Sequence, residues 1–375
     1  MPRLSTLRPL LLALTVTVLV PGLAAPAAEA KPAKKTLKKA MWGPAFKGGK
    51  SQFPIYRDLG VGIWQTGLFW ADVAATRPAD PTNPNDPAYT WPAELDDGYR
   101  EAQRYGIKVL LLVMRTPSWA NGGRDDRNPP TKASDYADFM EAASKRYPAV
   151  RHWMVWGEPH RAPNFEFPLT PGDRDPRKGL DRAQRAVVSR YAGLVDATYV
   201  RLKKRSKRNL IIGGNTTTSG DLTPFDWIKN LKLRNGKPPR MDMVGHNPFG
   251  TRKPDLRKKP LKYGTADFSD LDTYKGWTDR FLRRSGRNKR LKIFISEYNA
   301  PTRSGFEFNY FVTPRTQASW ARAALTITRS RPWIATLGWQ SLYDIGPVGA
   351  NKFSYTGLIS LDGKKKPGYT AFKRG

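Results

Sequence analysis

Short runs rich in Val, Ile, Leu and Trp alternate with longer segments of helical period along almost the whole chain. That alternation predicts βαβ units and a parallel sheet. The strand-like runs are Met41 to Phe46, Val61 to Phe69, Lys108 to Met114, Arg151 to Trp156, Leu210 to Gly214, Met241 to His246, Lys292 to Ser296 and Ile334 to Gln340. The helical segments are Gln52 to Leu59, Glu94 to Tyr105, Ala133 to Arg146, Arg182 to Lys204, Pro224 to Leu233, Leu271 to Arg284 and Thr316 to Arg329, with a short one at Gly368 to Phe372. Some strand runs carry no polar alternation. Val109 to Met114 is wholly apolar, as strands covered on both faces are. Eight such runs with helices between them imply the α/β class and a single closed (β/α)8 TIM barrel. An open doubly wound sheet would carry a phosphate-binding glycine fingerprint after its first strand, which Gly43-Pro44-Ala45-Phe46-Lys47-Gly48-Gly49 does not match.

The N-terminus departs from this pattern. Arg3 and Arg8 precede an uncharged run from Leu10 to Val20, followed by small residues ending in Ala28-Glu29-Ala30. This order predicts a secretory signal peptide over residues 1–30, cleaved after Ala30, and therefore a secreted protein. The run is too short for a bilayer that needs roughly 20 residues, and no other segment is long and apolar enough to span a membrane. Residues 31–40 are mostly Lys, Ala and Pro with little to bury, which predicts a basic flexible tether before a catalytic domain at 41–375.

The chain has no cysteine, so neither disulfides nor thiolate metal sites can support it, and a monomer with an ordinary core is expected. Charge changes the picture more. Lys and Arg number 64 against 32 Asp and Glu, a formal net charge of +32. Such a field attracts polyanions of any kind, including an anionic cell-wall polymer, without choosing among them. The basic clusters fall at 31–39, 201–208, 252–262 and 364–366, in loops and helix ends without a nucleic-acid recognition motif, so no specific nucleic acid is expected.

Past residue 30 only seven glutamates remain, and two of them sit where a strand-like run ends. Glu158 follows the fourth run in Val-Trp-Gly-Glu-Pro-His, and Glu297 follows the seventh in Phe-Ile-Ser-Glu-Tyr-Asn. Chemistry on this fold is done at the C-terminal ends of strands, so both carboxylates are expected in one mouth. Two carboxyl groups there can cleave a glycosidic bond, one protonating the leaving oxygen while the other attacks the anomeric carbon. At these residues the chain resembles the retaining glycoside hydrolases of clan A, which include the cellulase-like family 5 and the xylosidase/iduronidase-like family 39. Trp156-Gly157-Glu158-Pro159 is similar to the clan's acid/base motif, Ile295-Ser296-Glu297-Tyr298 to its nucleophile strand, and Gly338-Trp339-Gln340 to the aromatic end of strand eight that floors the reacting sugar. Thr116-Pro117-Ser118-Trp119 is similar to the turn after strand three. The resemblance implies a retaining O-glycosyl hydrolase acting on an oligo- or polysaccharide, with Glu158 as acid/base, Glu297 as nucleophile and no cofactor. The clan's Asn before the acid/base is Gly157 here, and Asn215 or Asn247 is a candidate to supply the missing contact to the sugar.

Other residues join these as substrate-binding candidates. His246 is expected to donate to Glu297, or else to bond a backbone carbonyl. Arg115 serves either the site or a rim salt bridge. Trp119, Trp156, Trp339 and Tyr298 offer aromatic faces for sugar C–H groups, core packing being the competing role for each tryptophan other than Trp339. With three histidines, His152, His160 and His246, and no compact zinc spacing, no metal site is expected. The competing reading of the whole chain is a non-catalytic or weakly active protein that binds a cell-wall polyanion on a hydrolase barrel.

Overall fold

A computed structural model of the chain describes residues 36–166, 168, 179–283, 290–305, 308–346 and 353–375. The expected signal peptide, residues 31–35 of the expected tether and part of the loop after the fourth strand lie outside the described residues. The described residues belong to one compact unit. Its centre is a closed barrel of eight parallel strands: β1 Thr36–Trp42, β2 Val61–Phe69, β3 Lys108–Met114, β4 His152–Val155, β5 Leu210–Thr217, β6 Met243–Asn247, β7 Lys292–Tyr298 and β8 Ile334–Gln340. Each strand pairs with its neighbours in sequence, and β1 closes the ring by pairing with both β2 and β8, Met41 lying opposite Trp64 and Trp339. Among the described residues, eight helices of six residues or more pack outside: α1 Phe53–Asp58, α2 Ala93–Arg104, α3 Ala133–Arg146, α4 Arg182–Arg205, α5 Pro224–Asn230, α6 Leu271–Phe281, α7 Pro314–Ser330 and α8 Pro367–Arg374. The single (β/α)8 barrel expected from the hydrophobic pattern is the fold.

The first strand departs from expectation. It begins at Thr36 and ends at Trp42, so residues 36–40 belong to the barrel and not to a tether. The physical reason lies in Lys39, whose charge argued against a strand. Its side chain is buried and its Nζ donates to the carbonyls of Leu59 (3.2 Å), Phe372 (2.7 Å) and Lys373 (3.0 Å), closing the C-terminal end of α8. Burial, with Arg329 nearby as a second cause, lowers the Lys39 pKa to about 8. The basic cluster at 252–262 is likewise not all solvated: Arg252 pairs with the buried carboxylates of Asp267 and Asp270.

The strand ends that carry the candidate chemistry are held from outside by buried tyrosines. Tyr136 of α3 donates to the Val113 carbonyl (2.8 Å), Tyr191 of α4 to the Val155 carbonyl (2.8 Å), and Tyr274 of α6 to the Gly245 carbonyl (3.0 Å). Tyr191 also accepts the N–H of Gly214, beside the register shift between β5 and β6. Beside the register shift of β5 the Tyr191 phenol supplies partners that buried backbone groups require, while the Val113 carbonyl accepts the Trp156 N–H as well as the Tyr136 phenol. At the rim Arg115, Trp156 and Glu158 adopt left-handed backbone conformations with φ of 70°, 64° and 45°. Such residues cost about 1–3 kcal/mol each and persist only where surrounding packing enforces them.

Candidate active site

Glu158 lies three residues beyond the end of β4, Asn247 is the last residue of β6, and Glu297 is the penultimate residue of β7. Their side chains and backbone meet at the C-terminal mouth of the barrel. Asn247, fully buried, donates from Nδ2 to Glu158 Oε1 (2.9 Å) and accepts at Oδ1 from the backbone N–H of Glu297 (3.1 Å). One amide therefore ties the loop after β4 to strand β7. Glu158 is nine-tenths buried, and its second oxygen accepts from Arg161 Nη1 at 2.7 Å. Glu297 is partly exposed. Its neighbour Tyr298 is buried against Phe268 and Trp339, so strand alternation turns Glu297 to the opposite side from that packing.

Gly157 has a local cause in this packing. A Cβ there would lie 3.2 Å from Leu112 Cδ2 and 3.7 Å from Met114 Sδ, so a side chain requires the Leu112 side chain to shift by a few tenths of an ångström. Both amide functions of Asn247 are committed to the two glutamates, a role different from the sugar contact expected for it. Gly338 on β8 is required more strongly, because a Cβ there would collide with the Ser296 carbonyl at 2.0 Å, next to Glu297. The same carbonyl accepts from Trp42 Nε1 (3.1 Å) and Gln65 Nε2 (2.9 Å), which fixes the β7 backbone just before Glu297.

Several expected site residues stand elsewhere. His246 does not contact Glu297. Its Nε2 donates to the Ala266 carbonyl (3.1 Å), its Nδ1 faces the Thr216 hydroxyl (2.9 Å), and its ring stacks on Tyr274 at 4.0 Å. This is the backbone-carbonyl alternative, and the adjacent Asn247 takes the contact with Glu297. Trp339 is fully buried, donates to the Thr356 carbonyl and packs edge-on against Phe372 of α8, so it faces the helical layer and presents no ring to a sugar. Alternation gives the mouth Gln340 instead, which accepts from Asn299 Nδ2 at 3.2 Å. Trp156 is also fully buried, against Phe165 and Tyr136. Trp119 sits half-buried between Trp70 and Arg77 and donates to the Ala74 carbonyl. Tyr298 is buried in the packing already described. Arg115 pairs with Asp126 at 2.9 Å, the rim salt bridge. Asn215 is buried, its Oδ1 without a protein partner among the described residues, and a Cβ on Gly245 would lie 2.7 Å from that oxygen.

Three residues of the mouth escaped the sequence: Arg161, Gln65 and Gln340. Arg161 stands three residues after Glu158, a spacing that brings side chains together in a helical turn, and this was a usable signal. Gln65 and Gln340 were polar positions inside apolar strands, and each points toward the barrel end that holds the carboxylates.

Among the described residues, no group of three or more His, Asp or Glu is arranged to hold a metal ion, and no helix is long and apolar enough to cross a membrane. The three histidines are buried and neutral. Burial lowers the pKa of His246 to about 3 and those of His160 and His152 to about 4. His160 donates from Nδ1 to the Leu222 carbonyl (2.7 Å) and accepts at Nε2 from the Thr217 N–H (2.8 Å), which requires the uncharged ring. Because each histidine takes up its proton in the unfolded chain near 6.5 but resists it in the folded one, the unfolded state binds more protons between these values. Stability present above pH 6.5 is therefore lost as pH falls toward 4, by up to about 1.4 kcal/mol per pH unit for each histidine. Urea unfolding at pH 7.5, 6 and 5 checks this, and a flat profile contradicts it.

A second expectation concerns Asn247. Replacing it by Ala removes the partner of the Glu297 N–H and one partner of Glu158 at a fully buried position. The cost is about 1–3 kcal/mol for each group left unpaired, read as a lowered urea midpoint with an unchanged slope.

No protein-family model matches the chain, and no curated protein is similar to it in sequence. Solved structures share its fold. A family 39 glycoside hydrolase from the gut symbiont Bacteroides cellulosilyticus superposes with a TM-score of 0.61 at 16% identity, over 91% of this chain and 63% of that one. A glucosidase from Croceicoccus marinus superposes with a TM-score of 0.60 at 15% identity, over 92% and 66%. A monomeric β-xylosidase from Caulobacter crescentus superposes with a TM-score of 0.58 at 15% identity, over 92% and 68%. The chain thus spans about two-thirds of the length of these structures. The likeness is one of fold alone, and one of these structures belongs to family 39, one of the two families that the motifs at Glu158 and Glu297 resemble.

Proposed function

We propose that this protein is a secreted glycoside hydrolase that cleaves O-glycosidic bonds of an oligo- or polysaccharide with retention, using Glu158 as acid/base and Glu297 as nucleophile. The observation that carries the reading is the Asn247 amide, bonded to Glu158 and to the Glu297 backbone at the mouth where this fold places catalysis. Glu297 attacks the anomeric carbon while Glu158 protonates the departing oxygen, giving a covalent glycosyl ester. Glu158 then takes a proton from water as the water displaces Glu297. Asn247 holds Glu158 through Oε1 during both steps. Oε2, paired with Arg161, is the oxygen that must exchange that partner for the leaving group. The glycosidases of the same fold support the carbohydrate substrate, and the Arg- and apolar-rich leader of residues 1–30 supports export.

The Arg161 contact also favours the second reading, a binding protein on a hydrolase barrel, because it occupies the proposed proton donor. A panel of aryl glycosides decides between the two. The hydrolase is expected to release the phenol from at least one of them, with the initial sugar product retaining its anomeric configuration by proton NMR. Binding without hydrolysis across the panel supports the second reading, and an inverted product removes Glu297 as nucleophile.

A further inference from the structure

The barrel carries a second concave feature, at the end opposite the glutamates. A cavity of about 1380 Å³ opens among the first residues of the strands, with apolar walls that include Leu37, Ile63, Leu210, Met243 and Phe294. This end of a (β/α)8 barrel ordinarily contributes stability and not chemistry, and packed side chains fill the barrel interior. The volume lies at or above the usual size of a small-molecule site.

Its polar groups have a consistent sign. Lys38, Lys203, Lys207, Arg240, Arg290 and Lys292 line it, with Asp242 as the one carboxylate among the described lining residues. Lys203 is neutralised by that Asp242 at 2.8 Å and Arg240 by Asp196 at 2.7 Å. Lys207 and Lys292 have no ion-pair partner among the described residues, while Lys38 donates only to the backbone carbonyls of Arg331 and Ile334. Deeper in the lining, His152 is buried and its Nδ1 has no hydrogen-bond partner among the described residues.

We propose that the N-terminal end of the barrel binds a single-chain amphiphile, its hydrocarbon chain against the apolar walls and its anionic head group drawn by Lys207 and Lys292, the lining lysines without an ion-pair partner among the described residues. A polyanion without a hydrocarbon chain would leave the apolar walls uncovered, and a neutral chain would leave the lysines unmatched. A recess, as opposed to a protruding apolar surface, takes one chain and not the face of a bilayer.

The test titrates the intact protein with monomeric dodecyl phosphate by calorimetry, beside inorganic phosphate and dodecyl maltoside. Saturable binding of dodecyl phosphate is expected, at least about tenfold tighter than either control, which corresponds to about 1.4 kcal/mol. The double variant Lys207→Glu/Lys292→Glu is expected to weaken it by a further factor of about ten or more, through reversal of two charges at the head group. Arg100→Glu/Arg104→Glu, on exposed positions of α2, makes the same change in net charge and is expected to leave binding intact. A diazirine-bearing alkyl phosphate is expected to label Tyr199, Met241 or Leu282, which line the same cavity, and this readout needs no variant to fold. Equal weakening by the α2 variant, equal binding of dodecyl maltoside, labelling confined to other surfaces, or no binding at all overturns the proposal.

Discussion

Glu297→Gln is expected to reduce glycoside hydrolysis by about 10⁴-fold or more, because the amide keeps the shape of the side chain but cannot form the covalent ester. The substitution should leave the fold intact. Glu297 is partly exposed, and the bond to Asn247 is made by its backbone N–H, which the substitution retains. The loss should therefore appear in kcat with little change in KM, and urea unfolding should match the wild type within about 0.5 kcal/mol, as surface substitutions do. A variant that retains more than a few per cent of wild-type activity would show that another group attacks the sugar.

Glu158→Gln is expected to act differently, and the difference identifies its role. General acid catalysis contributes about 10²–10⁴-fold, and the need for it depends on how poor the leaving group is. An alkyl glycoside should lose that full factor. A dinitrophenyl glycoside, whose phenolate departs unaided, should lose little in the first step. It should then accumulate the glycosyl ester, because the amide that replaces the carboxylate cannot serve as base for water. A burst of phenol equal to the enzyme concentration is the expected signature. The substitution also replaces a charge-assisted contact with Arg161 by a neutral one. Arg161→Met separates the two effects. If Arg161 only occupies Oε2 in the unliganded protein, its loss leaves the leaving-group dependence unchanged, whereas loss of Glu158 steepens it.

Eight strands and their order were legible in the chain because each is a short apolar run bounded by helical period, and the ends of β2, β3 and β8 fell where the pattern placed them. The beginning of β1 was not legible. A lysine inside a strand reads as solvent, and only the fold reveals that three carbonyls converge on Lys39. The same limit shaped the site. Glu158 and Glu297 stood out as rare carboxylates at strand ends, and strand position alone brings them to one mouth. Which face each neighbouring aromatic presents depends on strand bulges, and β7 and β8 shift register between Leu337 and Trp339. Trp339 thus turns to α8 and Gln340 takes the inner side. Asn247 takes the contact with Glu297 that was expected of His246, since one residue along a strand exchanges one face for the other.

The pairing of Glu158 with Glu297 through Asn247 makes one claim above the others: a sugar becomes covalently attached to Glu297. Incubation with activated 2-fluoro glycosides, which form the ester and hydrolyse it slowly, followed by peptide mass spectrometry, tests it directly. One fluorosugar per chain on the peptide that contains Ile295-Ser296-Glu297-Tyr298 is the expected result. Hydrolysis of an aryl glycoside without any such adduct, or an adduct on a different carboxylate, would contradict the assignment.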